Sequence, residues 1–161
     1  NWGVPNFFHV VMWEHGENPT TDRQTLMAYA WLLPHGIPIG ETRYMNRYVV
    51  LEISRTMMGF RSRIARFIPA WRPNPFLSIE HPIALEVVVA TWDHDNGRRV
   101  LAVVSNLSPD RAERVVLRCR TGLRRVVNAR TGAPLRLNGV HLTLHIAPET
   151  FTLLQLGEEG H

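Results

Sequence analysis

Residues 85–105, LEVVVATWDHDNGRRVLAVVS, contain two apolar runs separated by a short polar segment. The runs, residues 85–92 and 99–105, follow a period of two, which is typical of β-strands. Between them, Asn96-Gly97 readily adopts the positive φ angles of a hairpin turn. The stretch therefore predicts two antiparallel strands joined by a tight turn, and this hairpin decides the fold class of the second half of the chain.

The sequence after this hairpin continues the same pattern. Residues 140–146 alternate between apolar side chains and His141, Thr143 and His145, which predicts one face in a core and the other in water. His141 and His145 are therefore expected to be solvated and not to bind a ligand. Several short strands at this spacing predict an antiparallel β-sandwich domain over residues 83–157, with its other strands at residues 113–120, 123–128 and 150–156.

The first part of the chain has a different order of elements. Residues 7–13 predict a strand, Thr21 with Gln24 predicts the capped start of a helix that ends at Pro34, and residues 37–39 predict a second, very short strand. A parallel strand pair joined by a helix needs neighbouring strands and covered faces, which these elements do not supply. The fold class is therefore α/β followed by all-β, with residues 1–72 as the incomplete end of a (β/α)8 barrel. We expect the chain to be a fragment, with the other barrel strands upstream or in another chain.

A second helix is predicted between residues 45 and 67, with Gly59 as the point where it can bend or divide. Apolar side chains recur there at steps of three and four residues, at Met45, Val49, Ile53, Met57, Phe60, Ile64 and Phe67. The arginines of this segment lie largely off that stripe, so they are expected on the solvated face of a helix packed on a barrel. Residues 69–82 contain four prolines, each without a backbone donor, and are predicted to be the linker between the two domains.

Composition excludes several classes of protein. The 161 residues include 18 basic and 14 acidic ones, which gives a net charge of +4. All 18 basic residues are arginine, and they are spread along the chain without a basic block. We therefore expect no nucleic-acid partner. No apolar run approaches the roughly 18 residues of a membrane span, so no membrane partner is expected either. The single cysteine, Cys119, excludes an internal disulfide, and its alternation with Val115 and Leu117 predicts a buried, unreactive thiol.

The candidate site residues follow the two predicted barrel strands. Loops after the carboxyl ends of barrel strands form the active face of such enzymes. A carboxylate can act as acid, base or nucleophile in glycoside cleavage, a histidine can donate a hydrogen bond to a sugar hydroxyl, and an aromatic ring can stack on a sugar face. The candidate substrate-binding residues are Trp13, Glu14, His15, Glu17, Glu41 and Arg43.

Structural roles for the same residues stay open. Glutamates after a strand also favour the positive end of the following helix, Trp13 also suits a core, and Glu41 with Arg43 also suits a structural ion pair. His9 and His15 would stand about 20 Å apart along a strand, so with Glu14 they do not form a three-ligand metal site. We expect neither a metal nor a cofactor.

Four stretches resemble α-amylase-type glycoside hydrolases. Residues 24–41, QTLMAYAWLLPHGIPIGE, resemble the last helix-to-strand passage of the catalytic barrel in that family. Residues 100–108, VLAVVSNLS, resemble the valine-rich strand and Asn-Leu-Ser of its C-terminal sandwich, and residues 127–132 and 142–156 resemble later strands of that sandwich. α-Galactosidase-type enzymes end in a similar sandwich. One motif departs from the family, because Trp13-Glu14-His15-Gly16 stands where amylases usually carry Asn-His-Asp.

The resemblance implies the C-terminal part of a related but divergent barrel glycoside hydrolase. Its substrate would be an oligo- or polysaccharide, its catalytic carboxylates would lie upstream of this chain, and its partner would be the upstream part of its own barrel. Glycoside cleavage needs two suitably spaced carboxylates, so the chain alone is not expected to be active. Two alternatives stay open: a non-catalytic β-sandwich that binds carbohydrate or a protein partner, and a barrel lyase or transferase acting on polysaccharide.

Overall fold

The computed structural model describes residues 22–37, 45–58 and 65–157, and these form two antiparallel sheets and a helical layer packed on the larger one. The helical layer consists of α1 (Asp22–Leu32), a 3-10 turn (Leu33–His35) and α2 (Arg47–Met58). Eight strands follow: β1 (Arg66–Ile68), β2 (Leu77–His81), β3 (Val87–Asp93), β4 (Arg99–Asn106), β5 (Glu113–Cys119), β6 (Arg125–Asn128), β7 (His141–Ile146) and β8 (Thr150–Gly157).

The hairpin predicted from residues 85–105 is formed by β3 and β4. The two strands pair in antiparallel register from Val87 opposite Asn106 to Asp93 opposite Val100. The turn residues Asp95, Asn96 and Gly97 all have positive φ. Asp93 stabilises the turn, because its Oδ1 accepts a hydrogen bond of 2.7 Å from the backbone N–H of Gly97. The hairpin and the antiparallel β-sandwich prediction are confirmed.

One core lies between the two sheets. The larger sheet has the strand order β1-β3-β4-β8-β6 and the smaller has the order β2-β5-β7, and every described strand pair is antiparallel. Alternate side chains of the facing strands fill the space between them, because side chains two apart on a strand share a face. This inter-sheet core includes Val89, Val100, Val104, Val115, Leu117, Leu142, Leu154 and Leu156.

A second core lies on the other face of the five-stranded sheet. There the helical layer contributes Tyr29, Leu33, Val50 and Ile53, and the central strands contribute Trp92, Leu101, Val103, Phe151 and Leu153. Strands β3, β4 and β8 are consequently buried on both faces for most of their length. Their near-continuous apolar sequence follows from this position, because a strand between two cores has no solvated side.

The Asn-Leu-Ser stretch after β4 has a structural role. The buried Asn106 donates through Nδ2 to the carbonyl oxygens of Arg111 at 2.7 Å, Ile146 at 3.1 Å and Ala147 at 3.3 Å. Its Oδ1 accepts from the backbone N–H of Ser108 at 3.0 Å. One side chain thus joins the loop after β4 to the turn before β8 through four hydrogen bonds to backbone groups.

Two sequence predictions in residues 45–82 are wrong. The helix predicted through Phe67 ends as α2 at Met58, and Phe67 lies in β1, paired with Trp92 of β3. The predicted linker contains β2, which pairs with β5 in the smaller sheet. The apolar stripe of α2 packs on the five-stranded sheet. The predicted barrel strands at residues 7–13 and 37–39 lie outside the described residues except for Ile37, so the barrel and the division at residues 72 and 83 stay predictions.

Candidate functional site

All six predicted site residues lie outside the described residues. They fall in two groups, one before α1 and one before α2: Trp13, Glu14, His15 and Glu17, and then Glu41 and Arg43. Their assignment to a substrate site stays a prediction. The described structure does define the residues that follow each group in the chain, Asp22 at the start of α1 and Asn46 just before α2.

Asn46 joins the first turns of the two helices. Its side-chain Nδ2 donates a hydrogen bond to Asp22 Oδ1, and its backbone N–H donates to Oγ1 of the buried Thr25 at 3.0 Å. Its Oδ1 also accepts from the backbone N–H of Tyr48 at 2.9 Å, which is the bond of a helix N-cap. Asp22, five residues after Glu17, and Asn46, three residues after Arg43, are therefore in contact with each other.

A charged pair joins the helical layer to the sandwich. Arg130, in the turn after β6, donates through Nε and Nη2 to the two carboxylate oxygens of Glu52 on α2, at 2.9 Å each. This bidentate hydrogen bonding holds the pKa of Glu52 below its ordinary value, since it favours the ionised carboxylate, while partial burial acts in the opposite direction. The link fixes α2 relative to the edge of the five-stranded sheet.

The contribution of Glu52 to the free energy of unfolding is expected to depend on pH. A carboxyl whose pKa is lower in the folded state stabilises fully above its unfolded pKa, about 4.3, and this contribution is lost as the pH falls through the folded value. At pH 7 we expect Glu52→Gln to lower the free energy of unfolding by less than about 1 kcal/mol, because the pair is partly exposed. Urea unfolding at pH 7 and pH 3 should show this difference disappearing at the lower pH.

The control for this prediction is a double-mutant cycle with Arg130→Ala, which isolates the coupling between the two side chains. If wild type and Glu52→Gln lose equal stability between pH 7 and pH 3, the pair contributes nothing and the prediction is wrong.

Exposed aromatic rings occur on the helical side of the molecule. Trp71, in the connection between β1 and β2, is 64% exposed and stacks on His35, with ring centroids 5.6 Å apart and planes inclined by 15°. Trp31 on α1 is 46% exposed. By contrast, Trp92 and Phe151, the aromatic residues of the sandwich strands, are buried in the core beneath the helical layer. Sequence reasoning missed Trp71 because this residue stands in the predicted linker.

Cys119 is buried and His145 is exposed, as the sequence predicts. Cys119 is buried in the inter-sheet core, and loss of solvation raises the pKa of its thiol to about 11. Such a thiol is protonated and a poor nucleophile near neutral pH. His145 is exposed on β7, and His141 Nε2 lies 3.1 Å from Glu80 Oε2 on the outer face of the smaller sheet.

No three His, Cys, Asp or Glu side chains of residues 22–37, 45–58 and 65–157 lie close enough together to hold a metal ion. Neither helix of these ranges is long and apolar enough to cross a membrane.

Comparison with known proteins assigns the fold. The chain matches a GH27 β-L-arabinopyranosidase from Geobacillus stearothermophilus with a TM-score of 0.54 and 18% identity, over 84% of this chain and 30% of that one. It matches an α-amylase from Anoxybacillus with a TM-score of 0.50 and 10% identity, over 86% of this chain and 33% of that one. No family model and no curated sequence matches.

The fold is therefore a mostly antiparallel β-sandwich with two short helices, of the kind present in glycoside hydrolases. The chain spans about a third of the length of these structures. At these identities the likeness concerns the fold, and a fold hosts more than one function.

Proposed function

We propose that this chain is the C-terminal part of a glycoside hydrolase that cleaves an oligo- or polysaccharide. In this proposal residues 1–72 complete a (β/α)8 barrel whose other strands lie upstream, and the sandwich braces that barrel. The observation that carries it is the contact between Asp22 and Asn46, because each residue closely follows one group of candidate site residues.

The spacing along the chain supports a common site. Glu17 precedes Asp22 by five residues, and Glu41 precedes Asn46 by five. Five residues span at most about 18 Å of chain, so the proposal places both glutamates within that reach of this contact. In a barrel, adjacent strand-end loops line one cleft, and the proposal assigns Glu14, His15 and Glu41 to substrate binding there.

The packing supports the bracing role of the sandwich. The helical layer and the five-stranded sheet share one apolar core, and Glu52 and Arg130 add a bidentate link at its edge. A barrel that contains α1 and α2 would therefore be attached rigidly to the sandwich.

The test begins with the reading frame upstream of Asn1, where the proposal expects about six further strand-helix units with carboxylates at strand ends. The protein from that complete frame is then assayed on soluble starch and on aryl α-glucosides, galactosides and arabinopyranosides. We expect hydrolysis of at least one, and a fall in kcat/KM of about tenfold or more for Glu41→Gln, because a hydrogen bond between a charged group and substrate is lost.

The matched control is Glu80→Gln, an exposed carboxylate on the smaller sheet, which should leave kcat/KM unchanged. An upstream frame without strand-helix units, or no hydrolysis of any glycoside in the panel, would refute the proposal.

The second candidate function is carbohydrate binding without cleavage. The exposed ring of Trp71 favours it, because stacking on sugars requires an accessible aromatic surface. Binding of a polysaccharide by a protein that hydrolyses none of the panel would decide for this alternative.

A further inference from the structure

The pair formed by Trp71 and His35 is a preformed aromatic surface. The two rings are nearly parallel, and both residues are exposed. A large apolar ring left in water forgoes the stabilisation that burial would bring. Phe67 and Trp92, in the neighbouring strands β1 and β3, pack in the core beneath the helical layer with ring centroids 5.0 Å apart. Trp71 follows β1 in the chain and nevertheless stays exposed.

The backbone on both sides of Trp71 is held in place. The N–H of Ala70 donates to the carbonyl oxygen of Pro34 at 3.1 Å, and the N–H of Arg72 donates to that of Pro69 at 3.0 Å. The first bond attaches the β1–β2 connection directly to the 3-10 turn that carries His35. The two rings are therefore positioned by the fold, and little conformational entropy would be lost when a ligand stacks on them.

The turn itself is fixed to the sheet at Gly36. This residue has a φ of +69°, and a Cβ there would lie 2.5 Å from the ring of Phe67. The close approach of the Gly36 backbone to Phe67 anchors the end of the turn on β1. The position of His35 therefore depends on the same core that holds the sheet.

The chemistry of the pair favours a neutral sugar. The face of an indole ring carries partial negative charge, which suits the C–H groups on one face of a pyranose. A nucleic acid would need several cations for its phosphates, yet residues 31–37 contain no arginine or lysine and residues 69–76 contain one, Arg72. Trp31, which is 46% exposed, lies on α1 four residues before His35.

We propose that Trp71, backed by His35, is a stacking platform for a pyranose ring of a neutral oligo- or polysaccharide. The class of ligand rests on the proposed function. The platform would hold the polymer on the surface of the protein, and it requires no bond to be formed or broken.

The experiment measures binding apart from hydrolysis. The full protein is titrated at 4 °C with soluble starch, arabinan and galactan, and separately with a 12-nucleotide RNA, while tryptophan fluorescence and calorimetric heat are recorded. We expect saturable binding of at least one polysaccharide, weakened about tenfold by Trp71→Ala. Tyr48→Ala is the matched control, since Tyr48 is another exposed aromatic ring, located on α2, and its loss should leave the affinity unchanged.

Acrylamide quenching supplies a measurement that does not depend on the choice of polysaccharide. The fluorescence that wild type has and Trp71→Ala lacks comes from the Trp71 indole, and we expect acrylamide to quench this part readily. A protected Trp71 indole would overturn the proposal, because it would mean that another part of the protein covers the ring. Failure of every polysaccharide to bind, equal affinity of wild type and Trp71→Ala, or Trp71-dependent binding of the RNA alone would also overturn it.

The outcomes separate this proposal from the proposed function. If the protein hydrolyses a glycoside and Trp71→Ala binds polysaccharide as tightly as wild type, the platform proposal is wrong and the glycoside hydrolase proposal stands. Trp71-dependent binding without hydrolysis would support the platform and refute the glycoside hydrolase.

Discussion

Replacing Leu153 by alanine is expected to lower the free energy of unfolding by about 2–5 kcal/mol. Leu153 lies on β8 in the core between the helical layer and the five-stranded sheet, and its side chain has no exposed surface. The cost combines the lost burial of the side chain with the cavity left among rigid neighbours, which include Leu33 and Ile53.

The same variant tests whether the helices and the sandwich unfold together. Since Leu153 contacts a core that both share, helical circular dichroism and tryptophan fluorescence should lose their signals in one transition with one midpoint, shifted to lower urea in the variant. Leu85→Ala is the matched control, because Leu85 is 96% exposed and its truncation should change stability little. Two separate transitions, with the helical one unaffected by Leu153→Ala, would show that the helical layer is an independent unit.

Replacing Asn106 by alanine is expected to cost about 3 kcal/mol of unfolding free energy. The side chain donates to three carbonyl oxygens, of Arg111, Ile146 and Ala147, and accepts from the N–H of Ser108. Alanine has no polar group to replace these bonds, so backbone groups in a buried region lose their partner. The measurement is urea unfolding followed by fluorescence.

Asn138→Ala is the matched control for Asn106, because Asn138 is exposed and its recorded hydrogen bonds with His141 use backbone atoms. It should change the midpoint little. A loss of less than about 1 kcal/mol for Asn106→Ala would mean that water replaces the side chain, and that this asparagine is not what holds the two loops together.

The strands after residue 85 were predictable because their signals are local. Alternation of apolar and polar side chains in residues 140–146 and the Asn96-Gly97 turn act over a few residues, and β7 and the β3–β4 hairpin are present as predicted. The predicted start of the second helix, at residue 45, is close to the observed one, since α2 begins at Arg47 after the Asn46 cap. The candidate site could be proposed from strand-end loops, but its residues lie outside the described ranges.

The errors occurred where a neighbour in space decides the structure. Phe67 continues a spacing of three and four residues, yet it is in a strand because pairing with β3 satisfies its backbone and its ring packs against Trp92. Leu77–His81 follows several prolines, which argued for a linker. As an edge strand of the smaller sheet it pairs on one side with β5 and tolerates nearby prolines.

The hairpin, the other strands after residue 85 and the buried thiol of Cys119 could be predicted from the sequence, because each depends on short-range periodicity or turn chemistry. Three features became known only from the fold: β1 and β2 complete the two sheets, the helices cover the five-stranded sheet, and Trp71 stays exposed against His35. These features depend on which surfaces meet in space, and the same apolar stripe packs equally well on a barrel or on a sheet.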